Sequence, residues 1–170
     1  MPPIHPALVH FPIVLVTFSV FADLIGYCKN SPAARSVAWW SLLGAVLSAA
    51  PTVAAGYYDM NRADLSQETH KYIELHFTTG LVLLVALLGL TLWRWFILAR
   101  PGRSVGWSYL IVALLVFGLA AFQGWLGGEM VYSYGAAVAP TGQGVESADE
   151  AKTRLERVYR LLGGPVVEHP

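Results

Sequence analysis

Leu75-His76-Phe77-Thr78-Thr79-Gly80-Leu81-Val82-Leu83-Leu84-Val85-Ala86-Leu87-Leu88-Gly89-Leu90-Thr91-Leu92-Trp93 runs for 19 residues without an Asp, Glu, Lys or Arg. A helix crossing the bilayer core needs about 20 predominantly apolar residues. This stretch, read as a span over Ile73–Trp93, has three counterparts at Ala7–Tyr27, Val37–Tyr57 and Val105–Leu126. Of the 170 residues, 55% are apolar and only 13% charged, where a soluble domain would carry about 25% charged residues. Mean hydropathy is +0.52. The expected fold class is therefore all-α: an integral membrane four-helix bundle over 1–138. A linker and a short amphipathic helix should follow over 139–170.

Loop charges set the expected orientation. The first connection carries Lys29 and Arg35, and the third carries Arg100 and Arg103, with Arg94 just inside the third span. Neither connection holds an acid. The positive-inside rule puts these loops in the cytoplasm, with both termini outside. In a bacterium this means the inner membrane and the periplasm. Met1-Pro2-Pro3-Ile4 lacks a basic n-region, so the first helix is expected to stay in the mature chain. Asp23 and Arg94 lie at similar depth near the cytoplasmic end, and the expected arrangement is a structural ion pair, with a proton-relay role as the alternative.

Polar chemistry gathers at the opposite face. His5 and His10 open the first helix, and His70 and His76 open the third. Asp59, Glu74, Gln123, Glu129, Tyr132 and Tyr134 fall at the same level. His70 and His76 are separated by about 9 Å of rise and about 120° of rotation, so they diverge. His5 and His10 diverge too if helical. Paired sites would join one histidine from each segment, His10 with His76 as the deeper pair and His5 with His70 as the shallower. Two helices each giving one axial imidazole is the usual way a bundle holds haem. Trp125, Tyr132 and Tyr134 are candidates to line such a cleft. Cys28 is the only cysteine, so haem would be held by coordination, as haem b, and not covalently.

A second reading is a transition-metal site using His10, His76, Asp59, Glu74 and Glu129, with His70 and Glu74 four apart on one helix. A third is structural: a non-catalytic accessory or anchor subunit of a larger complex. In that reading His10, Asp59, His76 and Glu129 tie helix ends together by hydrogen bonds. No serine-histidine-acid pattern, phosphate loop or zinc-protease motif is present, so catalysis ranks below all three. Zero net charge and membrane burial exclude nucleic acid. The expected partners are the lipid bilayer and other membrane or periplasmic redox subunits.

Local signals refine the helices. Gly44/Ser48 and Ala45/Ala49 form a face of small residues that allows close helix approach. The segment from Pro51 to Gly56 offers room for a flat cofactor, and Pro51 should kink its helix. Helix one begins either at Pro6, with Pro12 disrupting its interior, or at Pro12, with His10 in an extended lead-in. Asp64-Leu65-Ser66-Gln67 reads as an N-cap with a glutamine three residues on. Gly80, one turn below His76, should relieve crowding beneath a bulky ligand. In the tail, Ser147-Ala148-Asp149-Glu150 reads as a capping box and Gly163 as a helix stop.

Four blocks resemble one bacterial membrane family, the domain of unknown function 2231. They are His5-Pro6-Ala7-Leu8-Val9-His10-Phe11-Pro12-Ile13, Gly56-Tyr57-Tyr58-Asp59, Leu75-His76, and Gly124-Trp125-Leu126-Gly127-Gly128-Glu129-Met130-Val131-Tyr132. The resemblance covers residues 4 to about 138. It implies a four-helix inner-membrane domain with these blocks close together, and no particular activity. Members that occur beside or fused to cytochrome c-type domains add weight to a redox role. One departure is Tyr134, where the family often has a histidine shortly after its Val-Tyr.

Overall fold

The structure, a computed structural model, describes residues 4–61, 67–100 and 104–134, with side chains for all but 67–71 and 132–134. The tail helix and the Asp64 cap lie outside the described residues. So do the side chains of His70, Tyr132 and Tyr134.

Five helices follow in order: α1 (His5–Leu8), α2 (His10–Cys28), α3 (Pro32–Met60), α4 (Gln67–Leu98) and α5 (Trp107–Tyr134). Helices α1 and α2 act as one span, and α3, α4 and α5 supply the other three. Each long helix packs on two neighbours, α2 on α3 and α5, and α4 on α3 and α5. Among the described residues the backbones of diagonal helices stay apart, and side chains alone cross the diagonal, Asp23 to Arg94 and His5 to His76. The result is an up-down-up-down four-helix bundle, in keeping with the four apolar runs of the sequence.

Helical phase separates its two surfaces. On α2, Pro12, Val16, Ser19, Val20, Asp23 and Gly26 are buried, while Phe11, Val14, Phe18, Phe21 and Ile25 are exposed. Both sets follow the three-and-four spacing of a helix face. The outward set is fully apolar, and the same holds elsewhere: Leu47 is 71% exposed, Val85 67% and Leu115 68%. Exposed apolar surface on this scale is what lipid contact demands. Aromatic residues mark both rims of the apolar zone, as membrane-interface belts do. Trp40, Trp95 and Trp107 are exposed at one end, and Tyr57, Tyr58, Tyr72 and Trp125 at the other.

Within lipid, the drive to associate comes from close packing rather than from water exclusion. The small-residue face of α3 serves that purpose. Ala45 and Ala49 are buried in the core, and a Cβ on Gly44 would lie 3.2 Å from Leu15 Cδ1. Several hydroxyls in the spans donate within their own helices, while Ser19 of α2 donates across to Ala38 O of α3 at 2.9 Å. Thr17 donates to Ile13 O at 2.7 Å, Ser48 to Gly44 O at 2.8 Å and Thr91 to Leu87 O at 2.7 Å.

Both prolines inside spans leave their helices largely in place. Pro51 sits within the continuous α3. The first span begins at His5, so His10 is helical, and it breaks only at Val9. Pro12 is the cause: it has no N–H to give Leu8 O. The hydroxyl of Thr52, which donates to Ser48 O at 2.7 Å, lies 3.4 Å from that stranded carbonyl.

At the Asp23 end the turn between α2 and α3 is tight. Asn30 adopts φ 49°, a left-handed conformation that asparagine tolerates better than most residues. Arg35 Nε donates to Gly26 O at 3.2 Å, and its NH2 donates to Asn30 Oδ1 at 2.7 Å. The expected Asp23–Arg94 ion pair is present, with both side chains almost fully buried. Arg94 also donates to Tyr109 OH at 3.3 Å and to Arg35 O at 2.9 Å.

Candidate functional site

The polar end of the bundle collects the start of α1, the end of α3, the start of α4 and the end of α5. Asp59, near the end of α3, accepts from the backbone N–H groups of both Ile4 and His5, each at 2.9 Å. Those N–H groups have no partner within the helix they open. The carboxylate therefore caps the first helix from a distance of more than 50 residues in sequence.

His5 is fixed more closely still. Its Nδ1 lies 2.9 Å from Thr52 O. A carbonyl only accepts, so Nδ1 carries the proton and Nε2 keeps its lone pair in the neutral ring. A Cβ at Gly56 would stand 2.9 Å from His5 Nδ1, a separation no real side chain tolerates. Gly56 is thus the floor on which the imidazole rests. The block Gly56-Tyr57-Tyr58-Asp59 has a plain meaning: glycine makes room for the ring, and aspartate holds the backbone that carries it.

The ring of His5 meets the ring of His76 edge to face, with centroids 5.9 Å apart and planes at 88°. His76 is seated from the other side by α5. A Cβ at Gly127 would lie 3.2 Å from His76 Cε1. Gln123 Nε2 donates to His76 O at 2.7 Å, and Thr79 Oγ1 donates to Gln123 Oε1 at 2.5 Å. His76 Nδ1 is buried and has no hydrogen-bond partner among the described residues. A buried polar atom of this kind calls for an explanation.

Sequence reasoning expected different pairs. The ring facing His76 is that of His5, while His10 is exposed. Gly80 makes room for Gln123, whose Nε2 would be 3.0 Å from an added Cβ, rather than for a ligand. Around Gly56 the room is taken by the His5 ring itself. Glu74 and Glu129 each have an interaction within the structure. Among the described residues, no group of three or more His, Cys, Asp or Glu side chains converges on one point.

A signal for the pairing was available. His5 precedes Asp23 by 18 residues, and His76 precedes Arg94 by 18. Eighteen residues is about five full helical turns, so each histidine shares a face with one member of the ion pair. If Asp23 meets Arg94 at one end, His5 must approach His76 at the other, about 27 Å away. Thirteen residues separate His10 from Asp23, which turns its side chain to the outer surface. Thr52, Gln123 and Gly127 carried no such signal, since each acts through one backbone or ring contact.

The four sequence blocks thus meet at one end of one bundle, and a family profile matches the chain over residues 1–140. The chain belongs to the predicted membrane protein family DUF2231. No curated protein and no solved structure is significantly similar to it. This DUF2231 chain is thus a membrane protein with four candidate spans. The polar ends of its first and fourth described helices are joined through two imidazoles.

Proposed function

We propose that the His5/His76 end of the bundle binds haem b through its two imidazoles, in a small subunit that passes electrons at the outer face of a bacterial inner membrane. The observation that carries this reading is the meeting of two imidazoles from separate helices, 5.9 Å apart between centroids. The Nδ1–H of His5 is tied to a backbone carbonyl, the outer-shell bond that orients metal-binding histidines. His76 Nδ1 is a buried nitrogen with no hydrogen-bond partner among the described residues.

The donor set favours haem over a bare ion. A tetrahedral zinc site takes four ligands, mostly from protein, and the described residues offer no third His, Cys, Asp or Glu. Haem iron needs at most two from the chain. When bound, haem supplies a one-electron couple. The chain's own part is to hold His5 by Thr52 and Asp59, and to hold His76 by Gly127 and the Gln123 bond. Lys29, Arg35 and Arg100 at the opposite end support placing the histidines outside.

A second reading, an accessory or anchor subunit without cofactor, is favoured by the Asp59 clamp. That clamp locks the first helix to the third without needing any ligand. One experiment separates the two: an absorbance spectrum of protein purified from its native membrane, oxidised and then reduced with dithionite. The haem reading expects a Soret band and a sharp reduced α band. Both should be lost in His5→Ala and His76→Ala and kept in His10→Ala. A featureless spectrum from folded protein would leave the accessory reading standing.

A further inference from the structure

At the Asp23 end a cavity of about 320 Å³ opens between the start of α3 and the end of α4. Arg35, Ser36 and Trp39 line it from α3, Arg94 from α4, and Ser104 and Val105 from the approach to α5. We propose that this cavity holds the anionic headgroup of a membrane phospholipid.

Charge is the first argument. Two guanidinium groups and two hydroxyl-bearing serines line the cavity, and no acid does among the described residues. Asp23 neutralises one guanidinium, since it pairs with Arg94. Arg35, whose visible bonds go to Gly26 O and Asn30 Oδ1, brings a second positive charge to the cavity wall. Arg94 adds a second point. The side chain is fully buried, three of its contacts are accounted for, and Nε has no partner among the described residues. A guanidinium in a cavity wall is a group to which a phosphate oxygen makes a charge-assisted hydrogen bond.

The walls choose the source of that phosphate. Trp39 and Val105 make part of the lining apolar, and Trp39 stacks at a tilt against the exposed Trp95, with centroids 5.9 Å apart. Apolar walls at the level of the aromatic belt suit the glycerol and upper acyl chain of a lipid. Free phosphate gains nothing from them. Basic pockets between spans are a recognised setting for lipid headgroups.

The test uses the full chain, released from vesicles of phosphatidylglycerol and phosphatidylcholine in equal parts and examined by native mass spectrometry. Phosphatidylglycerol should be retained in preference. Arg35→Gln should lower its retention about tenfold or more, the loss of one hydrogen bond to a charged group. Ser104→Trp fills the cavity without changing charge and should lower retention too. Lys29→Gln, at the same end but outside the cavity, should leave it unchanged. Equal loss in Lys29→Gln would reduce the effect to diffuse surface charge and overturn the site. Equal retention of both lipids would overturn it as well. Displacement of the lipid by inorganic phosphate would overturn the lipid assignment in favour of a free anion. If circular dichroism shows that Arg35→Gln fails to fold, Ser104→Trp decides.

Discussion

One carboxylate oxygen of Asp59 accepts the backbone N–H groups of both Ile4 and His5, each at 2.9 Å. The end of the third helix thereby fixes where the first helix starts, and with it the position of the His5 ring. Through that single residue, a capping interaction becomes the support of the candidate site.

Asp59→Ala should therefore cost stability and loosen the histidine pair together. Loss of an N-cap acceptor costs roughly 0.5–2 kcal/mol. Thermal unfolding in detergent should show a lower midpoint. Asp59→Asn keeps one acceptor oxygen and should recover part of the loss. An unchanged midpoint in Asp59→Ala would mean that the clamp contributes nothing.

Glycines near the histidines should differ sharply from those away from them. An added Cβ meets His5 Nδ1 at 2.9 Å in Gly56→Ala and His76 Cε1 at 3.2 Å in Gly127→Ala, while at Gly128 it would meet nothing within 4 Å among the described residues. Gly56→Ala should be the most damaging, since overpacking costs roughly 1–3 kcal/mol. Gly127→Ala should be milder. Gly128→Ala, on the same helix, should be neutral or stabilising by about 0.5–1 kcal/mol. Unfolding midpoints of the three variants check the order, and any other order contradicts this placement of the rings.

At the opposite end, Asp23 and Arg94 form a buried ion pair. Removing one partner leaves an uncompensated charge and should cost about 3–5 kcal/mol. Asp23→Leu combined with Arg94→Met should cost less than either single change, because apolar replacement removes both desolvation penalties. A double-mutant cycle on detergent-solubilised protein measures the coupling. Additive effects would show that the two side chains do not act as a pair.

Gln123 bridges two helices, bonding to His76 O at 2.7 Å and to Thr79 Oγ1 at 2.5 Å. Gln123→Leu should cost about 1–3 kcal/mol, the penalty for leaving buried polar partners unsatisfied. Gln123→Glu can still accept from Thr79 but cannot donate to a carbonyl when ionised, so it should recover little. Backbone hydrogen exchange near His76 should quicken in both variants.

Much of this architecture was readable one helix at a time. Runs such as Leu75–Trp93 gave the four spans, because a stretch without charges can satisfy its backbone in lipid only as a helix. The depth of Asp23 and Arg94 gave their pairing, since neither charge is tolerable alone at that level. Even the partner of His76 was implicit, in the 18-residue spacing that puts His5 over Asp23 and His76 over Arg94. Reading it required the helix-to-helix phase to be fixed first, and that phase came from the ion pair.

Packing between helices decided the rest. Within the first segment nothing local separates His5 from His10; only their phase relative to Asp23 does, and that phase gains meaning once Asp23 is set against Arg94. The fold selects His5 through groups remote in sequence: Thr52 O at its ring, Gly56 beneath it and Asp59 on its backbone. Gln123 and Gly127 reach His76 in the same way, across the contact between α4 and α5. Sequence by itself determined the helices and their membrane character, for these follow from hydropathy and length; the buried face of each did not follow, because the lipid-facing side is apolar too. Only the tertiary structure decided which groups seat the two imidazoles, because contacts such as Thr52 O to His5 and Gly127 to His76 depend on the relative rotation of helices and on the small residues that let them close.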